Sequence, residues 1–435
     1  MRIRIRNVHV IDPGNIDGIM NILIEDGKIS KIDPASPETW DSDAGRLNDE
    51  KAPMQVIDGT GKVLVPGLID MHVHFRDPGY EYKETIETGC LSAAAGGFTG
   101  VCTMPNTRPI TDNSQTVRYI LKKAEAACGV KVYPVAAVSM ESKGKALCEY
   151  GDLKKAGAVA LSDDGMPVSN TELLRRAMEY AAIFGLFIIS HCEDAQLAAG
   201  GVMNEGPVAT RLGLRGMPNA AESIHVMRDI AVCELTKTPL HIAHVSTRES
   251  IRAIRDAKKR GIPVTAETAP HYFSLTDEAV ESYNTNAKMN PPLRSGKDRE
   301  AVREGLADGT IDAIATDHAP QSAIEKDVEF DRAANGIIGL ETSLPLSLKL
   351  VEQAVLTLPK LIEKMSVNPG RIIGHPNRIA IGASADLTMI DLEKEFTVEA
   401  ERFLSLSRNS PFNGWRMKGK AVLTMVEGQV VFKDF

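Results

Sequence analysis

The chain has 435 residues, 43% of them apolar, with 50 Lys and Arg against 58 Asp and Glu for a formal net charge of −8. That balance leaves no basic face for a phosphate backbone, and no apolar run approaches the roughly 18 residues that span a bilayer. The six cysteines (Cys90, Cys102, Cys128, Cys148, Cys192 and Cys233) fall singly, as expected for reduced core thiols of an intracellular protein.

At the N-terminus Arg2, Arg4 and Arg6 alternate with Ile3 and Ile5, a period-2 strand pattern with no signal-peptide core, so the expected compartment is the cytoplasm. Residues 21–32 read as a hairpin around Asp26-Gly27, and the polar residues 34–55 as an exposed loop. From Lys62 the pattern changes to strands alternating with helices. Apolar, β-rich runs lie near 63–73, 98–104, 131–138, 158–162, 186–191, 240–245, 262–267 and 311–316, with helical stretches at 172–184, 221–235, 248–259 and 298–306. Eight such runs fit a (β/α)8 barrel of the α/β class better than an open doubly wound sheet, and no G-x-G-x-x-G follows the first strand. Residues 385–390, 421–426 and 429–432 return to β character around Glu427-Gly428. The expected organisation is therefore a barrel over 62–379, with residues 1–61 and 380–435 combining into a small composite β-sandwich.

The polar residues at the strand ends carry the chemistry. His72 and His74 close the first barrel strand two positions apart, so both imidazoles project to one side, where one divalent metal could take both. Imidazole suits zinc and its first-row neighbours. Asn106 follows the second strand, Asp163 and Asp164 close the fourth, His191 the fifth, His244 the sixth and Asp317 the eighth. All fall at C-terminal strand ends, the face where barrel enzymes build active sites; a structural histidine or aspartate has no reason to prefer that end. Four imidazoles and two or three carboxylates exceed the needs of one four-coordinate ion. Two metals sharing a carboxylate and activating one water would perform metal-assisted hydrolysis or its reverse. Strand geometry leaves open which of Asp163 and Asp164 is shared. Arg76 offers a planar fork for a carboxylate, while Asn106 and Asn290 can donate or accept without adding charge. By alternation His318 and Cys192 face away from the metals, His225 and His241 read as packed or surface residues, and His271 lies just past the seventh strand, within reach of the pocket.

The runs PGLIDMHVHFRDPG, TMPNTRP, LSDDG, HCED, AHVST, KMNPPLR and ATDHAP resemble those of the dihydroorotases of the amidohydrolase superfamily. They are similar to the bacterial long-chain type, in which an aspartate replaces a carboxylated bridging lysine, and the similarity covers essentially the whole chain. The resemblance implies a reversible interconversion of N-carbamoyl-L-aspartate and L-dihydroorotate in de novo pyrimidine synthesis, with two zinc ions per chain. It implies that His72, His74 and Asp317 hold one ion, that His191 and His244 hold the other, and that Asp164 bridges them opposite an attacking hydroxide. Asp317 would also act as general base and acid. The substrate contacts implied are His74, Arg76, Asn106, Asn290, Gln321, Asn335 and Gly336; the partners implied are a second copy in a homodimer and aspartate carbamoyltransferase.

Two departures stand out. The family commonly reads DHAPH where this chain reads DHAPQ, ending in Gln321, and a Pro-Phe-Gly-like turn is more usual where Ala334-Asn335-Gly336 occurs. Both bear on affinity for dihydroorotate or on the choice of cyclic amide. The rival readings are a hydantoinase- or allantoinase-like enzyme, which usually bridges its metals with a carboxylated lysine, and a non-catalytic dihydroorotase-like subunit of a carbamoyltransferase complex, which typically lacks the ligands that this chain keeps. Closure of the 321–336 loop over substrate, with Gly336 and Gly339 as hinges, is a further expectation.

Overall fold

The structure, a computed structural model, describes residues 2–35 and 54–435. Most of the loop expected at 34–55 therefore lies outside the described residues. The chain opens with β1 (Arg2–Asp12), β2 (Ile16–Glu25), β3 (Lys28–Pro34), β4 (Met54–Asp58) and β5 (Val63–Pro66). In β1 the buried side chains change phase from Ile3 and Ile5 to Val8 and Val10. The extra residue is taken up by a bulge at Asn7, whose φ is 53° and whose amide donates to Asn21 Oδ1 at 2.9 Å. β2 and β3 turn back through Asp26 and Gly27, both with positive φ, the geometry of a tight two-residue hairpin.

The run 63–73, read from the sequence as one strand, is two. It divides at Gly67, where a Cβ would stand 2.2 Å from Thr99 Oγ1. Before it, β5 pairs with β1; after it, β6 (Leu68–Val73) enters the barrel. A side chain at this crossing would collide with the neighbouring strand, so glycine is needed for close approach rather than for chain freedom.

The barrel continues through β7 (Phe98–Thr103), β8 (Lys131–Ala136), β9 (Ala160–Leu161) and β10 (Ile188–Ser190). After an excursion containing β11 (Met203–Asn204) and β12 (Gly216–Met217) come β13 (Leu240–Ile242), β14 (Val264–Thr268) and β15 (Ala313–Ile314). β6 to β10 and β13 to β15 pair in sequence order, all parallel. The ends meet where His318 bridges Val73 and its carbonyl accepts from the His74 amide at 2.9 Å. The helices between them begin at side-chain caps that satisfy otherwise unpaired amides: Asn170 before Thr171–Ile183, Thr247 before Arg248–Lys259 and Ser295 before Gly296–Ala307.

Two sets of buried side chains alternate along these strands. Leu68, Val101, Val132, Leu161, Ile188, Ile242, Val264 and Ile314 face the helices in the main core. Ile69, Met71, Cys102, Val135, Ala160, Ile189, Ala243 and Ala313 form a separate cluster on the other side of the same strands, the barrel interior. This alternation decides which strand-end residues meet.

The chain closes with β16 (Leu387–Thr397), β17 (Arg416–Val426) and β18 (Gln429–Lys433). The sandwich expected from the termini is built as one continuous sheet, in the order β18-β17-β16-β5-β1-β2-β3 with β4 also on β1. Its core joins Ile3, Ile5, Ile22 and Ile24 from one end with Leu387, Leu423 and Met425 from the other. The two hairpin turns touch: a Cβ on Gly428 would lie 2.7 Å from the Gly27 Cα. Among the described residues no helix is long and apolar enough to cross a membrane.

Candidate metal centre

Interior phase carries Asp164, His191 and Asp317 into the barrel. Each continues the alternation of an interior residue below it: Ala160, Ile189 and Ala315. His72 and His74 belong to the opposite phase from Ile69 and Met71. They reach the interior because the register between β6 and β7 shifts between Asp70 and Val73. His244 follows the interior residue Ala243 directly and is turned by a φ of 33°. Asp317 (φ 48°) and Arg76 (φ 60°) also hold left-handed backbone at strand ends, a conformation that costs on the order of 1–3 kcal/mol for a non-glycine residue and concentrates at functional sites.

Asp164 stands at the centre. Its Oδ1 is 3.4 Å from His72 Nε2, 3.5 Å from His244 Nε2 and 3.6 Å from His191 Nδ1, and its Oδ2 is 3.6 Å from His74 Nε2. His191 Nδ1 and His244 Nε2 are 2.9 Å apart. Asp317 Oδ1 lies 3.1 Å from His74 Nε2 and 3.7 Å from His72 Nε2. All six side chains are buried. Two ligand groups thus share one carboxylate: His72, His74 and Asp164, and Asp164, His191 and His244. A tetrahedral zinc with bonds of about 2.0–2.2 Å spreads its ligand atoms roughly 3.3 Å apart, close to these separations. His72 Nε2 and Asp164 Oδ1 have no hydrogen-bond partner, an arrangement too costly to bury unless a cation completes it. The residues fit a pair of metal ions.

The electrostatics agree with that fit. Burial raises the Asp164 carboxyl, but His72, His191 and His244 more than offset it and hold the group well below the usual carboxylate range. Burial likewise opposes ionisation of Asp317, and His72, His74 and His244 again prevail. The pocket is built to keep both carboxylates charged.

Each imidazole on the first ligand group is oriented from behind. His72 Nδ1 donates to Glu267 Oε1 at 2.9 Å, and the other Glu267 oxygen lies 3.1 Å from His241 Nε2. His74 Nδ1 meets Asn106 Oδ1 at 2.8 Å, while Asn106 Nδ2 donates to Asp164 Oδ2 at 3.3 Å. An acceptor on Nδ1 leaves the Nε2 lone pair facing the carboxylates. Glu267 is a residue the sequence reading misses, and His241, read there as a packed or surface residue, supports the site from behind. The signal was available, because Glu267 lies in the C-terminal half of β14 and shares the interior phase opposite Val264 and Ala266.

The other expected residues fall around this centre. Asp163 does not join it: it accepts from the amides of Val138 and Ser139 at 2.8 and 3.1 Å and from the Ser139 hydroxyl. Arg76 Nε donates to the Pro320 carbonyl at 3.2 Å. Asn290 Nδ2 donates to Glu193 Oε2 at 2.9 Å, and its buried Oδ1 is unpartnered. Glu193, Asn290 and Asn335 line a cavity of about 240 Å³; Arg76 does not reach it. Gln321 is clamped at both ends, its Oε1 accepting from Lys83 Nζ at 2.8 Å and its Nε2 donating to the Asn335 carbonyl at 2.6 Å. Gly336 (φ 147°) passes so near Ala319 that a Cβ would sit 2.4 Å from its carbonyl. His318 points away from the ligands as expected, meeting Glu84 Oε2 at 3.2 Å and accepting from the Gly339 amide. His271 is buried with an unpartnered Nε2, and burial pushes it down to about 4, so it is neutral. Cys192 and His225 are packed, and His241 is buried rather than on the surface.

The family model described as Dihydro-orotase-like matches residues 61–250. The chain is 55% identical over 434 residues to the dihydroorotase of Desulforapulum autotrophicum, covering 100% of this chain and 99% of that protein. It is 57% identical over 433 residues to the dihydroorotase of Geobacter sulfurreducens, covering 99% of each. Among solved structures it is similar to the L-hydantoinase of Arthrobacter aurescens, with a TM-score of 0.86, 27% identity, and coverage of 99% of this chain and 96% of that one.

Proposed function

The chain belongs to the dihydroorotase family, a family of cyclic amidohydrolases, and on that premise we propose that it interconverts L-dihydroorotate and N-carbamoyl-L-aspartate with two zinc ions per chain. The observation that carries this reading is the Asp164 carboxylate set between two histidine pairs, with buried ligand atoms that only a cation satisfies. In it His72, His74 and Asp317 would hold one ion, His191 and His244 the other, and Asp164 would serve both. When bound, such ions lower the pKa of a water and polarise the carbonyl under attack.

The chain's own residues do the rest. In the ring-opening direction Asp317 accepts the proton of the attacking water, the C–N bond breaks, and Asp317 returns that proton to the leaving amide nitrogen. Its ionised state, held by three neighbouring imidazoles, suits the accepting step. Arg76 is the cation assigned to the substrate carboxylate. Asn290, with one free amide oxygen, and Asn335 and Gly336 flank the ring. Asn106 and His74 are already paired, so they orient more than they bind. Gln321 contributes a neutral amide where a cation is usual.

The unpaired state of all six cysteines supports a reducing compartment, the cytoplasm, and the reaction belongs to pyrimidine synthesis. The test is an absorbance assay of dihydroorotate hydrolysis with metal content determined on the same sample, and dihydrouracil as the competing ring without a carboxylate. Turnover of dihydroorotate with about two zinc per chain supports the reading. Turnover of dihydrouracil alone would replace it with the hydantoinase-like rival.

A further inference from the structure

The 321–336 loop carries Gln321, Asn335 and Gly336, and side chains fasten its last three carbonyls one by one. Ala334 accepts from Lys326 Nζ at 2.8 Å, Asn335 from Gln321 Nε2 at 2.6 Å and Gly336 from Asn409 Nδ2 at 3.0 Å. Asn409 comes from outside the loop, in the segment between the turn Ala400–Arg402 and β17. It is buried, and its side chain also donates to the Ala319 carbonyl and accepts from the Gln321 amide, each at 3.0 Å. Its own carbonyl accepts from the Ile338 amide at 3.1 Å. One residue thus clasps both ends of the loop. Two carbonyls and one amide around the side chain fix which of its atoms is the nitrogen.

Lys326 ends the short helix Ala323–Lys326 and is buried. Its ammonium donates to the carbonyls of Thr285 and Ala334 at 2.8 Å each and of Lys288 at 3.4 Å. An ammonium has three donors, and backbone carbonyls take all three. Burying such a charge is costly: burial, with Lys288 nearby, pushes it down to about 7. Its effect is to tie the loop to the segment that leads to Asn290, where the Lys288 carbonyl also accepts from the Gly336 amide at 2.9 Å. At the start of the loop Lys83 joins Gln321 and Glu325 at 2.8 and 2.7 Å. Gly336 is glycine for its close approach to Ala319, which a hinge would not require.

We infer that Asn409 and Lys326 are positioning residues for substrate binding: they hold 321–336 as a preformed wall of the pocket in place of the closing lid, and so set Asn335 and Gly336 before substrate arrives. A lid exchanges its contacts as it opens. Opening here would strip the acceptors from a buried ammonium and both kinds of partner from a buried amide at once. None of their partners is a metal ligand, so the metal centre does not depend on them. The kinetic consequence rests on the proposed dihydroorotate chemistry; the fixed wall does not.

The test is hydrogen exchange on the full, metal-loaded chain, with and without L-dihydroorotate, read on peptides spanning 334–338. The amides of Ala334, Gly336 and Ile338, bonded to Glu325, Lys288 and Asn409, are expected to be protected without substrate and to change by less than about twofold on adding it. Lys326→Met keeps the stem and removes the donors, and Asn409→Ala removes the clasp. Each is expected to speed exchange at these amides about tenfold or more, and to raise KM about tenfold with kcat within about twofold and metal content unchanged. Thermal melts show whether the variants fold. A merely structural role would lower the folded fraction, and with it kcat, at constant KM. Amides that exchange freely until substrate is added, or folded variants with unchanged exchange and KM, would overturn the inference. Absence of dihydroorotate turnover in the unmodified chain would sink the catalytic reading instead, and exchange in the substrate-free chain and its two variants would still decide between wall and lid.

Discussion

Glu267 accepts a 2.9 Å hydrogen bond from His72 Nδ1 deep in the barrel, and by doing so turns the lone pair of His72 Nε2 toward Asp164. Glu267 is itself held ionised at about 2: burial opposes this, but His241 and His72 outweigh it. Glu267→Gln keeps the shape and removes the charge. Metal affinity is expected to fall roughly tenfold, within the range seen when such supporting carboxylates are changed. Competition with a chromophoric chelator measures it, and unchanged affinity would show that His72 needs no such support.

Asp163 and Asp164 make opposite predictions. Asp164→Asn removes the shared carboxylate, so metal content and turnover collapse while the melting temperature of the metal-free protein holds or rises. Asp163→Ala leaves three donors at Val138 and Ser139 unpaired inside the protein and destabilises it by about 3 kcal/mol. Paired metal analysis and urea unfolding separate the two; equal loss of metal in both variants would contradict the assignment.

Asp317→Ala removes a ligand and the proton carrier together. Turnover is expected to drop by at least about 10⁴-fold, the upper end for a general acid–base group alone. Full activity in this variant would exclude the proposed proton path.

Gln321 is held by Lys83 and Asn335 and so presents its amide in one orientation. Gln321→Ala is expected to raise KM for dihydroorotate about tenfold with kcat little changed, the signature of a lost binding contact. A fall in kcat at constant KM would move Gln321 from binding to chemistry.

Stability carries a pH dependence away from the metal centre. Burial pushes Glu341 up to about 7, although Ser92, Leu404 and Ser405 donate to it. The folded state therefore binds this proton more tightly than the unfolded chain. The contribution is full below the unfolded value near 4.3 and is lost as pH rises through about 7. Urea midpoints at pH 5 and pH 8 should differ by more in the unmodified chain than in Glu341→Gln, by on the order of 2 kcal/mol. Equal differences would show that Glu341 ionises as freely folded as unfolded.

Much of this was legible along the chain, for physical reasons. The eight β-rich runs alternating with helices named the barrel because each element must bury one face, and that requirement is written in local periodicity. The strand-end positions of His72, His74, His191, His244 and Asp317 named the candidate site because parallel barrels bring all C-terminal ends together, whatever their separation in sequence. Asp26-Gly27 and Glu427-Gly428 named their hairpins through local backbone preference. What periodicity does not carry is phase at an irregularity. The division at Gly67, the register shift that turns His72 and His74 inward, and the positive φ that does the same for His244 all depend on what lies across the sheet. The choice of Asp164 over Asp163 followed from interior alternation once Ala160 was seen to face inward. Interior phase marks Glu267 as facing the barrel interior, but its pairing with His72 and His241 emerges only when closure of the barrel sets β14 across from β6, because a buried hydrogen bond between residues 195 positions apart leaves no local trace. The sequence by itself determined which residues gather at one end of the barrel. The tertiary structure alone decided which atoms face one another, since that depends on contacts made only after the sheet has closed.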